Sequence, residues 1–138
     1  MLLPRKAYYW LMNNARQWFK ENFKDDGNKI YTSKYYTPEE SWPKTHVWWL
    51  QFPETAIDTS KYDYVNFICQ VAPSKNDFHY LKVPTKYLHN HLNKFHRIKE
   101  MIDLYLSANP HSLFIEERGE GRLDFSRFLI INQGQRIS

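Results

Sequence analysis

The sequence predicts a single α/β (α+β) domain over residues 1–138: an N-terminal helix, a central mixed or antiparallel sheet of about five strands, a second helix after Pro84 and a short C-terminal helix. Three observations predict it. An amphipathic segment at helical period opens the chain. Several short runs of β-branched and aromatic residues follow, each bounded by Pro, Gly, Asn or Asp. At 138 residues there is room for one core and not for two.

From Arg5 to about Lys24, Ala7, Leu11, Ala15, Trp18 and Phe19 recur at three-to-four spacing, with Pro4 suited to the first turn. Asp25, Asp26 and Gly27 break the helix, and Lys29 to Tyr36 alternates as a strand. Thr37 to Lys44 holds Pro38 and Pro43 and is expected to be a loop. Thr45 to Phe52 and Asp63 to Val71 are strands, the second apolar enough to be buried on both faces. Ala72 to Asn76 reads as a hairpin connection into Phe78 to Val83, which stops at Pro84. Thr85 is placed to cap a helix with the apolar line Leu88, Leu92, Phe95 and Ile98. Ile102, Leu104 and Leu106 alternate as a strand, although one helix from Thr85 to Asn109 fits nearly as well. Leu113 to Glu117 is a further strand, Asp124 caps a short terminal helix through Phe125, Phe128 and Leu129, and the stretch after Gln133 is expected to be loose.

A hydrophobic share of 42% and a charged share of 25% argue against a long disordered region. Cys69 is the only cysteine, which excludes an intrachain disulfide and a multi-cysteine zinc site and fits a reducing compartment, so a cytoplasmic location is expected. The opening MLLPRKAYYW lacks a signal-peptide apolar run, and no stretch is long enough to span a membrane, so no membrane partner is expected. Net charge is +4, and it is unevenly placed. Residues 1–24 carry five basic side chains against one acidic, and residues 81–100 do the same, while the rest of the chain is net acidic.

These two basic stretches carry the leading functional expectation, association with DNA or RNA through Arg16 and Lys20 on the first helix and Lys82, Lys86, His89, Lys94 and Arg97 around the second. Cations gathered on one face supply sequence-independent affinity for phosphates. The aromatic share of 17% carries the alternative: a protein-interaction module or homodimer whose partner surface uses Trp42, Trp48 and Trp49. No cofactor is expected. Magnesium enters only in a third reading, a metal-dependent nuclease in which Glu39, Glu40 and Lys44 converge in the proline-rich loop. His89, His91 and His96 do not make a zinc site on one helix, because positions two apart diverge and two turns separate the outer pair by about 10 Å. Cys69 in the most apolar strand reads as an inert thiol, and the four glycines fit turns rather than a phosphate loop.

The stretch HVWWLQFP, then KYDYVNFICQ, a polar hairpin, FHYLKVP and TKYL, over residues 46–88, resembles the second half of restriction-endonuclease-like nuclease domains, and LDFSRFLI is similar to their closing helix. The resemblance lies in the scaffold. The family's catalytic signature, an acidic residue on one strand followed on the next by an acidic residue, any residue and lysine, is not found in the Lys29 to Tyr36 strand, so no catalytic residue is carried over. What the resemblance implies is a shortened or inactive relative that still binds nucleic acid.

Overall fold

In the computed structural model, which describes residues 5–131, the chain forms two four-stranded sheets packed face to face, with one long helix laid on the outside of the first. Helix α1 (Arg5–Asn22) is followed by β1 (Lys29–Ser33), β2 (Tyr35–Tyr36), β3 (Val47–Pro53), β4 (Tyr64–Gln70) and β5 (Phe78–Pro84). After these come the short helix α2 (Thr85–Asn90), β6 (His96–Ile98), β7 (Met101–Ser107) and β8 (Leu129–Ile130). The first sheet has the order β1-β4-β5-β8 and is antiparallel except for the β1/β4 pair; the second, β2-β3-β7-β6, is antiparallel throughout. The predicted class holds, and the central sheet is two sheets rather than one.

The division happens at one residue. Lys34 separates β1 from β2, and the Ser33 hydroxyl donates to the Lys34 carbonyl at 2.7 Å while accepting the Trp49 backbone N–H at 2.9 Å. The strand thereby turns out of the first sheet and into the second, a corner of the kind that joins stacked sheets.

Period-two alternation then fills the space between the sheets. Val65, Phe67, Cys69, Leu81 and Val83 face Trp48, Leu50, Phe52, Ile102, Leu104 and Leu106, and all are buried. On the outer face of the first sheet, Ile68, Phe78 and Tyr80 meet Leu11, Ala15 and Phe19 of α1. That is why β4 is buried on both sides, as its apolar run predicts. Asn66, a polar residue on that face, is fully buried; its carbonyl accepts the Tyr80 hydroxyl at 2.6 Å and its amide donates to Asp26 at 3.3 Å. Tyr87, Leu88, Phe95, Phe114 and Phe125 close the rest of the core.

Four expectations are corrected. The second helix ends at Asn90, where the His91 ring bonds back to the Tyr87 carbonyl, so Lys94 lies in a 3-10 turn (Leu92–Lys94) and Arg97 on β6. The chain from Met101 is a strand, as its alternation predicts, and not a continuation of that helix; the Thr85 hydroxyl, by contrast, donates to the Tyr62 and Asp63 carbonyls instead of capping the helix. The terminal helix is a single 3-10 turn (Ser126–Phe128) running into β8, and residues 113–117 make only isolated bridges because Phe114 takes a φ of 65° that no strand accommodates. Pro4 and the stretch after Gln133 lie outside the described residues.

Candidate functional site on the outer face of the second sheet

Strand β7 sends Ile102, Leu104 and Leu106 inward, so Asp103, Tyr105 and Ser107 point away from the core, yet these three are buried as well. Two irregular segments cover them. The first is the loop carrying Trp42, whose ring centroid lies 6.2 Å from that of Tyr105. The second runs from Phe114 to Gly121 and is held by Glu116, only 1% exposed. One Glu116 oxygen accepts the Tyr105 and Arg118 N–H groups, each at 2.9 Å; the other accepts the Gly119 N–H at 2.7 Å. Position 119 has no room for a side chain, since a Cβ there would fall 2.1 Å from the Lys94 carbonyl oxygen, to which the Glu120 N–H donates at 3.1 Å.

Arg118 is the centre of the arrangement. Its guanidinium carbon is 4.2 Å from the Trp42 ring centroid and 5.5 Å from that of Tyr105. One Nη reaches the His96 Nε2 at 3.3 Å, while Nε is buried without a hydrogen-bond partner among the described residues, 3.9 Å from an Asp103 oxygen. Asp103, 3% exposed, accepts the Trp49 indole N–H. Burial pushes the Glu116 carboxyl above its usual range, the Asp103 carboxylate adds to this, and the three backbone donors work against it. Burial likewise raises Tyr105. Both carboxylates are thus engaged by groups of the fold itself, and what the cluster offers to the outside is Trp42, 65% exposed and clamped from below by a cation.

The sequence-predicted residues fall in different places. Trp42 is on this face, and Trp49 is half-buried beneath it with its indole N–H engaged. Trp48 is corrected: at 1% exposure it is core, donating to the Gln70 carbonyl at 2.7 Å and stacked on Phe114 at 5.0 Å, so it offers no partner surface. Arg16 and Lys20 are exposed on α1, over the first sheet. Lys82, on the outer face of β5, sits 4.4 Å over the Tyr64 ring and near enough to Asp26 to help hold that carboxylate ionised. His89 on α2 shares a groove with Glu54 and Asp58, and Arg97 on β6 pairs with Glu54 at 3.4 Å. Lys86 and Lys94 are exposed. Among the described residues, the two basic stretches meet where Lys24 and Lys82 line one cleft, together with Asp25 and Asp26. In the proline-rich loop, Glu40 pairs with Lys34 and accepts from Thr37 while Glu39 and Lys44 stay exposed, and among the described residues no three His, Cys, Asp or Glu side chains are placed to hold a metal. Burial raises the Cys69 thiol far above its ordinary range.

Asp103, Tyr105, Glu116 and Arg118 are what sequence reasoning missed. The one available signal was an aspartate inside the otherwise apolar run MIDLYLS, followed by the Glu116-Glu117-Arg118-Gly119 turn, since a carboxylate in a buried strand demands a donor from elsewhere. No family model, no curated protein and no solved structure matches the chain.

Proposed function

We propose that the chain is a protein-interaction module that docks its partner on the outer face of the second sheet, with Trp42 as the anchor. The carrying observation is a large aromatic ring left 65% exposed while Arg118 fixes it at 4.2 Å. An anchor held in one position before binding loses little rotamer freedom on docking, and Trp, Tyr and Arg dominate the energetics of interface centres. Trp42→Ala tests it. Affinity capture with cross-linking is expected to place a partner's cross-links around residues 42–44 in the wild type and to lose them in the variant, with the circular dichroism spectrum unchanged. Cross-links that persist undiminished in the variant refute the proposal. Sedimentation across a concentration series shows whether the partner is a second copy.

A second reading, association with nucleic acid without an active site, draws on Lys20, Lys86 and Lys94, which are exposed and enter no ion pair among the described residues. It requires oligonucleotide affinity that falls steeply with salt, measured by fluorescence anisotropy. Affinity that is flat in salt, or none at low salt, removes this reading.

A further inference from the structure

The end of α1, β5 and β8 border an open cleft of about 520 Å³, within the size range of small-molecule sites. Its wall is apolar: Phe23 and Tyr80 lie edge to face at 4.8 Å, with Ile130 beside them. Its charged lining consists of two ammonium groups, Lys24 and Lys82, and two carboxylates, Asp25 and Asp26, none of which forms an ion pair among the described residues.

The charges are kept separate by the fold. Lys82 rests over the Tyr64 ring. One Asp25 oxygen accepts the Gly27 N–H at 2.9 Å, and one Asp26 oxygen accepts the Asn28 N–H at 3.0 Å and the Asn66 amide at 3.3 Å. The Asn28 side chain adds a further hydrogen bond to Asp26, and the second oxygen of Asp25 carries none among the described residues. Asp26 is also anchored to the rigid part of the sheet, because Asn66, its donor, accepts the Tyr80 hydroxyl. Burial pushes the Asp26 carboxyl up, but these bonds and Lys82 hold it below the usual range, so it is charged at neutral pH.

We propose that this cleft binds a small zwitterion with an apolar side chain, the chemistry of a free hydrophobic α-amino acid. A pure anion entering it meets two carboxylates and a pure cation meets two ammonium groups. A ligand carrying both signs gives each an opposite charge, while its side chain covers Phe23, Tyr80 and Ile130.

Backbone amide shifts followed by NMR during titration with L-phenylalanine, 3-phenylpropionate and 2-phenylethylamine test it. L-phenylalanine is expected to move the amides of Phe23, Tyr80, Lys82 and Ile130 and to bind at least about tenfold more tightly than either single-charge analogue, the scale of one charge-assisted contact. Lys82→Met and Asp25→Asn are each expected to weaken it several-fold; an asparagine at 25 keeps an oxygen for the Gly27 N–H, so that variant retains the turn. No shift of the cleft amides at millimolar ligand, or binding of 3-phenylpropionate as tight as that of phenylalanine, overturns the proposal. Because Trp42 is not among the residues lining this cleft, either result leaves the docking proposal where it stood.

Discussion

The two sheets are covered on their outer faces by different chemistry. Over the first sheet, α1 lays down Leu11, Ala15 and Phe19, and the contact is apolar apart from the Asn66 and Tyr80 pair. Over the second, two irregular segments lay down Trp42, Glu116 and Arg118 on Asp103 and Tyr105. A helix meets its own backbone hydrogen-bonding needs and can therefore cover a sheet with hydrocarbon alone. An irregular segment has no such internal ladder, so its donors must be answered by side chains; Glu116 answers two of them, at Arg118 and Gly119, and ties the segment to β7 by accepting the Tyr105 N–H. The first cover is held by burial, the second by a small number of directional contacts around an exposed ring.

The largest effect that tests this contrast is expected from Phe19→Ala. Phe19 is fully buried and packs edge-on against Tyr80 at 5.1 Å, so its truncation should cost about 3–5 kcal/mol in urea denaturation. A cost under about 1 kcal/mol would mean that α1 is loosely attached and that the apolar cover contributes little.

Glu116→Gln comes next. The amide keeps one acceptor oxygen but turns an NH2 toward backbone donors, which should cost about 1–3 kcal/mol near neutral pH. The variant also carries a pH signature. Because the folded Glu116 carboxyl sits above its unfolded value, its favourable contribution is complete below about pH 4.5 and is lost as pH rises through the folded value. Wild type should therefore lose stability relative to the variant as pH rises from that point, so that its lead over the variant narrows. A gap that widens instead would mean that the three N–H donors outweigh burial.

Arg118→Met should matter less. It removes the cation from Asp103 and from beneath Trp42, but the Nε to oxygen separation is a loose 3.9 Å and Asp103 keeps the Trp49 indole N–H, so the cost should be about 1 kcal/mol. The telling readout is the accessibility of Trp42 to acrylamide quenching. An increase shows that Arg118 clamps the ring, and no change shows that the loop holds it unaided.

The same contrast explains how much of the molecule was legible in its sequence. The apolar cover was legible because it repeats: Leu11, Ala15, Trp18 and Phe19 lie at helical spacing, and β3, β4, β5 and β7 each stand out as a short apolar run. The corner at Lys34 was not, since nothing in Ser-Lys-Tyr marks a change of sheet. Nor was the β6–β7 hairpin, which turns at Lys99 with a φ of 57°, a conformation usually marked by Gly or Asn. Without that turn in view, the choice between strand and helix beyond Asn90 stayed open. Asp124 reads as a cap in the sequence but stands one residue before the N-cap, Phe125, where its carboxylate accepts the Ser126 N–H at 2.8 Å; that this turn would feed a strand pairing with Leu81 was not legible. The polar cover was hardly legible at all. Trp42, Trp49, Asp103 and Arg118 come from four separate places in the chain, and only the folded sheet brings them together. Adjacent Trp48 and Trp49 looked equivalent, yet strand alternation sends one into the core and the other outward.

Trp42→Ala should have the smallest effect on stability and is the most direct test of the contrast. The ring is mostly in solvent, so truncation removes little buried area; the loss should be limited to its contact with Arg118, about 0.5–1 kcal/mol for a cation–π pair at an exposed site. If urea denaturation returns that value while the variant loses its partner, then the second face separates binding from stability in a way the first face does not. If Trp42→Ala instead costs as much as Phe19→Ala, the ring acts as a core residue closing over Asp103 and Tyr105, and the docking proposal loses its anchor. The comparison rests on two aromatic residues in one chain, one at 1% exposure and one at 65%, measured by the same unfolding experiment.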